Sequence, residues 1–195
     1  MKHAKIFSRA TVLLLGLALA PSTLSEPAAP PVFAESAGDS VEEYLLKAAF
    51  LYNFANFTTW PDDAFEDERS PLVFAVLGED PFDEHLIATL DEKHINGRPL
   101  KLVNYAELEE LGDCHLLFVS RSEAAHVAQL HTLLADRAVF TVSDIDRYAH
   151  MGGVARLGIE EQRPVMEINT SAAKRADLQI SSQLLKLARV IEDDT

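Results

Sequence analysis

Five polar residues that fall just past predicted strands are the ones whose chemistry could build a site: Asp80, Ser120, Arg121, Ser143 and Asp144. Acids, a guanidinium and two hydroxyls at one edge of a sheet could orient a small polar ligand, and open α/β sheets bind ligands at their carboxyl edge. Helix capping accounts for Ser120 and Asp144 equally well. The remaining reactive residue types lack the spacing that a reaction needs. No G-x-G-x-x-G phosphate loop occurs, since Gly152-Gly153 precedes a strand and not a helix, and there is no G-x-S-x-G nucleophile elbow. His126 and His131 are five positions apart, on different faces of a helix, unlike the i, i+4 pair of a zinc site. Cys114 is the only cysteine, so no disulfide can form within the chain, and neighbouring His115 would point to the opposite face of the same strand. The acidic pairs Asp62-Asp63, Asp83-Glu84 and Glu109-Glu110 sit in turns and helix ends, where solvation explains them. No catalytic residue, metal ligand set or cofactor is expected.

The elements that would position these residues alternate. Leu72–Leu77 is an unbroken apolar run, the pattern of a strand covered on both faces. Gly78-Glu79-Asp80-Pro81 turns the chain into a helix near 82–90, and Asn96-Gly97 marks a turn before a strand at 100–105. A short acidic helix at 106–110, a strand at 115–119, a helix begun by the capping-box spacing Ser120-Arg121-Ser122-Glu123, and a strand at 138–142 follow. Beyond Asp144 the rhythm changes to a β-hairpin, 154–159 and 165–168, and a final helix from Ser181-Ser182 with Leu184, Leu185, Leu187, Ala188 and Ile191 on its buried face. This order predicts an α/β fold: a mostly parallel sheet with helices on both faces, a flavodoxin-like or half-Rossmann sandwich, with a C-terminal β-hairpin and helix.

A first helix is predicted from about Val41 to Thr59, ended by Trp60-Pro61. Between Ala48 and Phe57 only Asn53 and Asn56 interrupt its apolar residues, so it needs cover on more than one side. Sheet and helices could supply all of it. The alternative is that Phe50, Phe54, Phe57 and Trp60 form a surface for a second copy or another protein.

Ahead of that helix, Lys2, Lys5 and Arg9 precede an apolar run of about ten residues, Thr11–Ala20, the pattern of a secretory signal and too short for a mature membrane span. Residues 1–34 are expected to be signal peptide and leader, 35–40 a linker, and 41–195 one domain exported to the periplasm. The formal net charge is −14, and losing the three leader cations would make it about −17, a charge that a phosphate backbone repels. Nucleic acid is therefore excluded as a partner.

Several blocks resemble the YfiR family of periplasmic regulators. Ala48-Ala49-Phe50-Leu51-Tyr52-Asn53-Phe54 with Phe57 and Trp60-Pro61 is similar to its opening signature. Asn96-Gly97-Arg98-Pro99, Cys114 to Ser120 and Val142-Ser143-Asp144 resemble its middle blocks; Gly152-Gly153, Glu167-Ile168-Asn169 and Ile180 to Ala188 resemble its closing ones. The resemblance runs in order from about Tyr44 to Ile191. It implies a non-enzymatic protein that binds the periplasmic sensor part of an inner-membrane diguanylate cyclase and holds it inactive, so that its output is cyclic di-GMP signalling and biofilm behaviour. It also implies an outer-membrane lipoprotein as a second partner and leaves a homodimer open. The family often carries a cysteine where this chain has Ala75, bridged to the counterpart of Cys114. Neighbouring strands would set these two positions face to face, but here Cys114 is left free and redox control by that bridge is lost.

Overall fold

In a computed structural model, residues 37–160 and 163–193 are described, and the expected signal peptide and leader lie outside them. Helix α1 (Ala37–Asn56) starts earlier than the sequence suggested and breaks at Phe57, ahead of the Trp60-Pro61 stop. The chain then forms β1 (Thr58–Thr59) and a 3-10 turn at Asp62–Ala64 before entering the sheet as β2 (Leu72–Leu77). Next come α2 (Glu84–Leu90), β3 (His94–Ile95), β4 (Arg98–Tyr105), a 3-10 turn at Leu108–Glu110 and β5 (Leu116–Val119). A 3-10 segment, Arg121–His126, runs into α3 (Val127–Leu133), followed by β6 (Phe140–Ser143) and a 3-10 turn, Tyr148–Met151. The chain closes with β7 (Ala155–Glu160), β8 (Arg163–Asn169), α4 (Thr170–Arg175), β9 (Gln179–Ile180), α5 (Ser182–Leu185) and β10 (Arg189–Ile191).

The main sheet has the order β10-β8-β7-β6-β5-β2-β4-β3. Strands β4, β2, β5, β6 and β7 are parallel, β7 and β8 form the expected antiparallel hairpin, and β3 pairs antiparallel with β4. Alternation along the strands splits the core in two. Phe74, Val76, Leu116, Phe118, Phe140 and Val142 face α1 and α2, whereas Ala75, Leu77, Leu117 and Val119 face Val127 and Leu130 of α3. Helices thus cover both faces, although the crossover from β4 to β5 carries only a 3-10 turn where a short helix was expected. The Asn96-Gly97 turn has positive φ at both residues, 52° and 79°, the type I′ geometry of a tight hairpin.

Three expectations are corrected here, and one pairing is new. The predicted final helix stops at Leu185, and Arg189–Ile191 leaves it to add the parallel strand β10 beside β8. Leu187 is accordingly 77% exposed, because no helix continues to carry it onto the core. The capping box does not form: the Ser120 side chain makes no cap bond, and Glu123 binds His126 at 3.0 Å instead. The third correction concerns Ala75, which registers with Leu117 on β5. Cys114 lies three residues before that point, about 10 Å away along the strand at ~3.3 Å per residue, beyond disulfide reach. The two positions share a core face without facing each other. Finally, β1 pairs with β9, and Ser181 N donates to Phe57 O at 2.8 Å, which ties the exit of α1 to the C-terminal segment. Two-residue strands leave too little pattern to read.

Candidate functional site

At the carboxyl edge the ends of β2, β5 and β6 lie side by side, and the structure gathers Ser120, Arg121, Ser143 and Asp144 there. Ser143 Oγ donates to Val119 O at 2.6 Å and accepts from Ile145 N at 3.0 Å, locking β6 to β5. Asp80 sits apart: it accepts from Phe82 N at 2.9 Å and from Asn104 Nδ2 at 2.7 Å, which fixes the turn after β2. Gly78, at φ 88°, permits that turn, and a Cβ there would lie 2.3 Å from Ser122 Oγ.

Asp144 is the centre of the group, only 2% exposed, and Lys47 of α1 reaches it with Nζ 2.6 Å from Oδ2 while itself 3% exposed. Lys47 also contacts Glu43 at 2.5 Å, and the Tyr44 hydroxyl donates to Asp144 Oδ2 at 3.3 Å. Burial, reinforced by the charge of Asp144, pushes the Tyr44 phenol up to about 12. Arg121 Nε stands 3.4 Å from the other oxygen, Oδ1, an ion-pair distance without hydrogen-bond geometry. Tyr44 meets Phe82 edge-on at 5.6 Å, and Phe82 meets Phe118 of β5 at 4.7 Å. The carboxylate that the sequence offered to a ligand is thus committed to the chain's own first helix. A lysine buried on the apolar stripe of a helix is stable only beside such a partner. In sequence Lys47 has the spacing of a surface i, i+4 pair with Glu43, yet it also lies on the same stripe as the buried Leu51, Phe54 and Ala55.

The aromatic residues of α1 and of the segment just after it divide. Phe54 is fully buried, stacked on Phe140 at 5.2 Å, and Trp60 is buried with Nε1 donating to His115 O at 3.1 Å. These two are therefore core and not partner surface, since Leu51, Phe54 and Ala55 repeat at helical spacing toward the sheet. Phe50 and Phe57 stay half-buried at the margin of the core. The outward side is aliphatic: Leu45 is 50% and Leu46 39% exposed, with Ala49 exposed a turn later. Two adjacent leucines cannot both face one sheet, so aliphatic and not aromatic side chains make up the outward side.

At the opposite, amino edge of the sheet, three of the sequence blocks converge. His115 Nδ1 accepts from Val73 N at 3.1 Å and Nε2 donates to Ala64 O at 2.9 Å. Its ring stacks on Phe65 at 4.3 Å and meets Trp60 edge-on at 6.4 Å, and the Arg98 guanidinium lies 3.7 Å over Phe65. Burial holds the imidazole below its ordinary pKa, so it stays neutral and keeps its acceptor. Cys114 is buried beside it, and burial pushes its thiol up to about 12. Phe65, Cys114 and His115 border an open cleft of about 810 Å³. Among the described residues, no group of three or more His, Cys, Asp or Glu side chains could hold a metal ion, and no helix is long and apolar enough to cross a membrane.

Residues 44–189 match the sequence profile of a family described as YfiR/HmsC-like. No curated protein matches the chain. Among solved structures it is similar to a conserved domain protein from Vibrio cholerae O1 biovar eltor, at 12% identity and a TM-score of 0.47, over 61% of this chain and 54% of that one. This chain spans about half the length of that protein.

Proposed function

Because the chain belongs to the YfiR/HmsC-like family, we propose that it is a non-enzymatic periplasmic regulator of cyclic di-GMP signalling. It binds the periplasmic sensor part of an inner-membrane diguanylate cyclase and holds the cyclase inactive. The family match over 44–189 carries this reading. In it, residues 1–34 are the signal peptide and leader, and the folded domain works in the periplasm. The parallel order β4-β2-β5-β6-β7 supports the flavodoxin-like description of the sheet.

The contact surface in this proposal is the outward ridge of α1: Leu45, Leu46 and Ala49, flanked by half-buried Phe50 and Phe57. An aliphatic ridge on a helix held rigidly from beneath by Lys47–Asp144 presents apolar area at small ordering cost. An outer-membrane lipoprotein that releases the regulator, and a second copy of this chain, are the other partners in this scheme. Asp144, with Arg121 beside it, then sets α1 in place, while Asp80 fixes the turn after β2 and Ser143 locks β6 to β5.

Deletion of the gene should raise cellular cyclic di-GMP, and the wild-type chain should restore it. A Leu45→Glu/Leu46→Glu variant should fold normally, fail to restore it, and lose co-purification with the cyclase sensor domain. Unchanged cyclic di-GMP on deletion would rule out the function; full activity of the double variant would rule out the surface and leave the function standing.

A further inference from the structure

Away from the edge occupied by α1 there is a second polar recess. It lies between the end of α3, β6, the 3-10 turn Tyr148–Met151 and α4, with a volume of about 340 Å³, within the range of small-ligand sites. It shares no residue with the five polar positions at the carboxyl edge. Leu134, Val139 and Val154 form apolar walls. Arg137 and Arg175 both border it, and among the described residues no aspartate or glutamate does. In a chain of formal net charge −14 the two guanidiniums are the charged side chains that line this recess, which adjoins the first cleft and shares Arg137, Val139 and Arg175 with it.

Both guanidiniums already hold a carboxylate, and neither pair is buried. Arg137 binds Asp113, which is fully exposed, at 3.2 Å, and Arg175 binds Asp193 near the C-terminus. Solvated pairs of this kind contribute little, so another carboxylate can replace them readily. The floor carries unused hydrogen-bonding capacity. His131 borders the recess with Nε2 buried and without a hydrogen-bond partner. Its ring lies 5.6 Å from that of Tyr148, a buried residue behind the recess whose hydroxyl lies beside that of Thr141. Thr141 Oγ1 accepts from Val154 N at 3.1 Å. Buried polar groups left unpaired are uncommon and call for an explanation.

We propose that this recess binds a small organic monoanion, a carboxylate on a compact apolar body, with the carboxylate between Arg137 and Arg175 and the body against Leu134, Val139 and Val154. His131 and Thr141 supply hydrogen bonds to the polar end. Burial keeps the His131 imidazole below its ordinary pKa, so it is neutral and able to donate or accept. The site is independent of the α1 ridge and of the partner reading.

Benzoate is a suitable probe, with benzamide as its uncharged isostere, each titrated calorimetrically into the purified protein. Benzoate should bind and benzamide should bind about tenfold more weakly or less. Arg137→Gln and Arg175→Gln should each weaken benzoate about tenfold, the loss of one charge-assisted contact, with the melting temperature unchanged. A second measurement needs no variant: the imidazole resonances of His131 in the wild-type protein should shift over the same concentration range. Absence of benzoate binding, equal binding of benzamide, affinity unchanged in both arginine variants, or unmoved His131 resonances would each overturn the proposal.

Discussion

Replacing Lys47 by methionine tests whether the first helix is clamped to the sheet by a buried charge pair. Lys47 and Asp144 are both at least 97% shielded and 2.6 Å apart, with Glu43 contacting the same ammonium. Methionine keeps the side-chain length and apolar stem but leaves the Asp144 carboxylate buried, with Arg121 at 3.4 Å, the Tyr44 hydroxyl at 3.3 Å and Glu43 nearby as a like charge. Removing one partner of such a pair costs about 3–5 kcal/mol. In urea, with a slope of about 1–3 kcal/mol/M, the midpoint should fall by at least ~1 M. Lys47→Met/Asp144→Leu removes both charges, and apolar replacements of buried pairs are often neutral or stabilising by about 1–4 kcal/mol. The double variant should therefore recover most of the loss. The assay is a double-mutant cycle by urea denaturation, followed by far-ultraviolet circular dichroism and Trp60 fluorescence. A loss below ~1 kcal/mol for Lys47→Met, the range of an exposed pair, would refute the clamp, as would additive losses in the double variant.

Other perturbations address the core, the thiol and the titrating groups. Phe54→Ala removes a fully buried ring stacked on Phe140 and should cost about 3–5 kcal/mol, whereas Leu45→Glu should stay within ~0.5 kcal/mol; equal costs would mean that both residues are core. Cys114→Ala should cost about 1–2 kcal/mol as a modest core truncation, and the native thiol should resist a bulky maleimide at neutral pH, so rapid labelling would contradict its burial. His115 and His131 are both held below the ordinary imidazole pKa by burial. The unfolded chain therefore binds more protons just below pH ~6.5, and stability should fall as pH drops from there toward the lowered folded values. Urea midpoints at about pH 7.5 and pH 5 check the sign, and a higher midpoint in acid would contradict it; Asp67 and Asp193, also lowered, lose their contributions only at more acid pH. Gly153→Ala places a Cβ 2.1 Å from the Tyr148 ring and should lower the melting temperature by several degrees, a shift that scanning calorimetry would detect.

Much of the architecture was legible because it rests on local pattern. The run Leu72–Leu77 could only be a strand covered on both sides, the glycine of Asn96-Gly97 suits a turn with positive φ, and alternating strands and helices imply parallel crossovers whatever the partners. The family blocks were readable for the same reason, as short strings in a fixed order. What stayed hidden depends on residues distant in sequence. Lys47 reads as a solvent-facing partner of Glu43 until Asp144, 97 positions later, is folded against it. Phe54 and Trp60 have the composition of an interface, and only Phe140 and the His115 carbonyl turn them into core. Leu187 carries the period of a helix, yet pairing of Arg189–Ile191 with β8 outweighs propensity in so short a segment. The register that sets Ala75 opposite Leu117 is likewise a property of two strands together. Local periodicity determines which elements form and which side of each is apolar; which apolar side is covered, and which charge finds its counter-charge, is decided only when the sheet brings distant segments within a few ångströms, where desolvation makes an unpaired group costly.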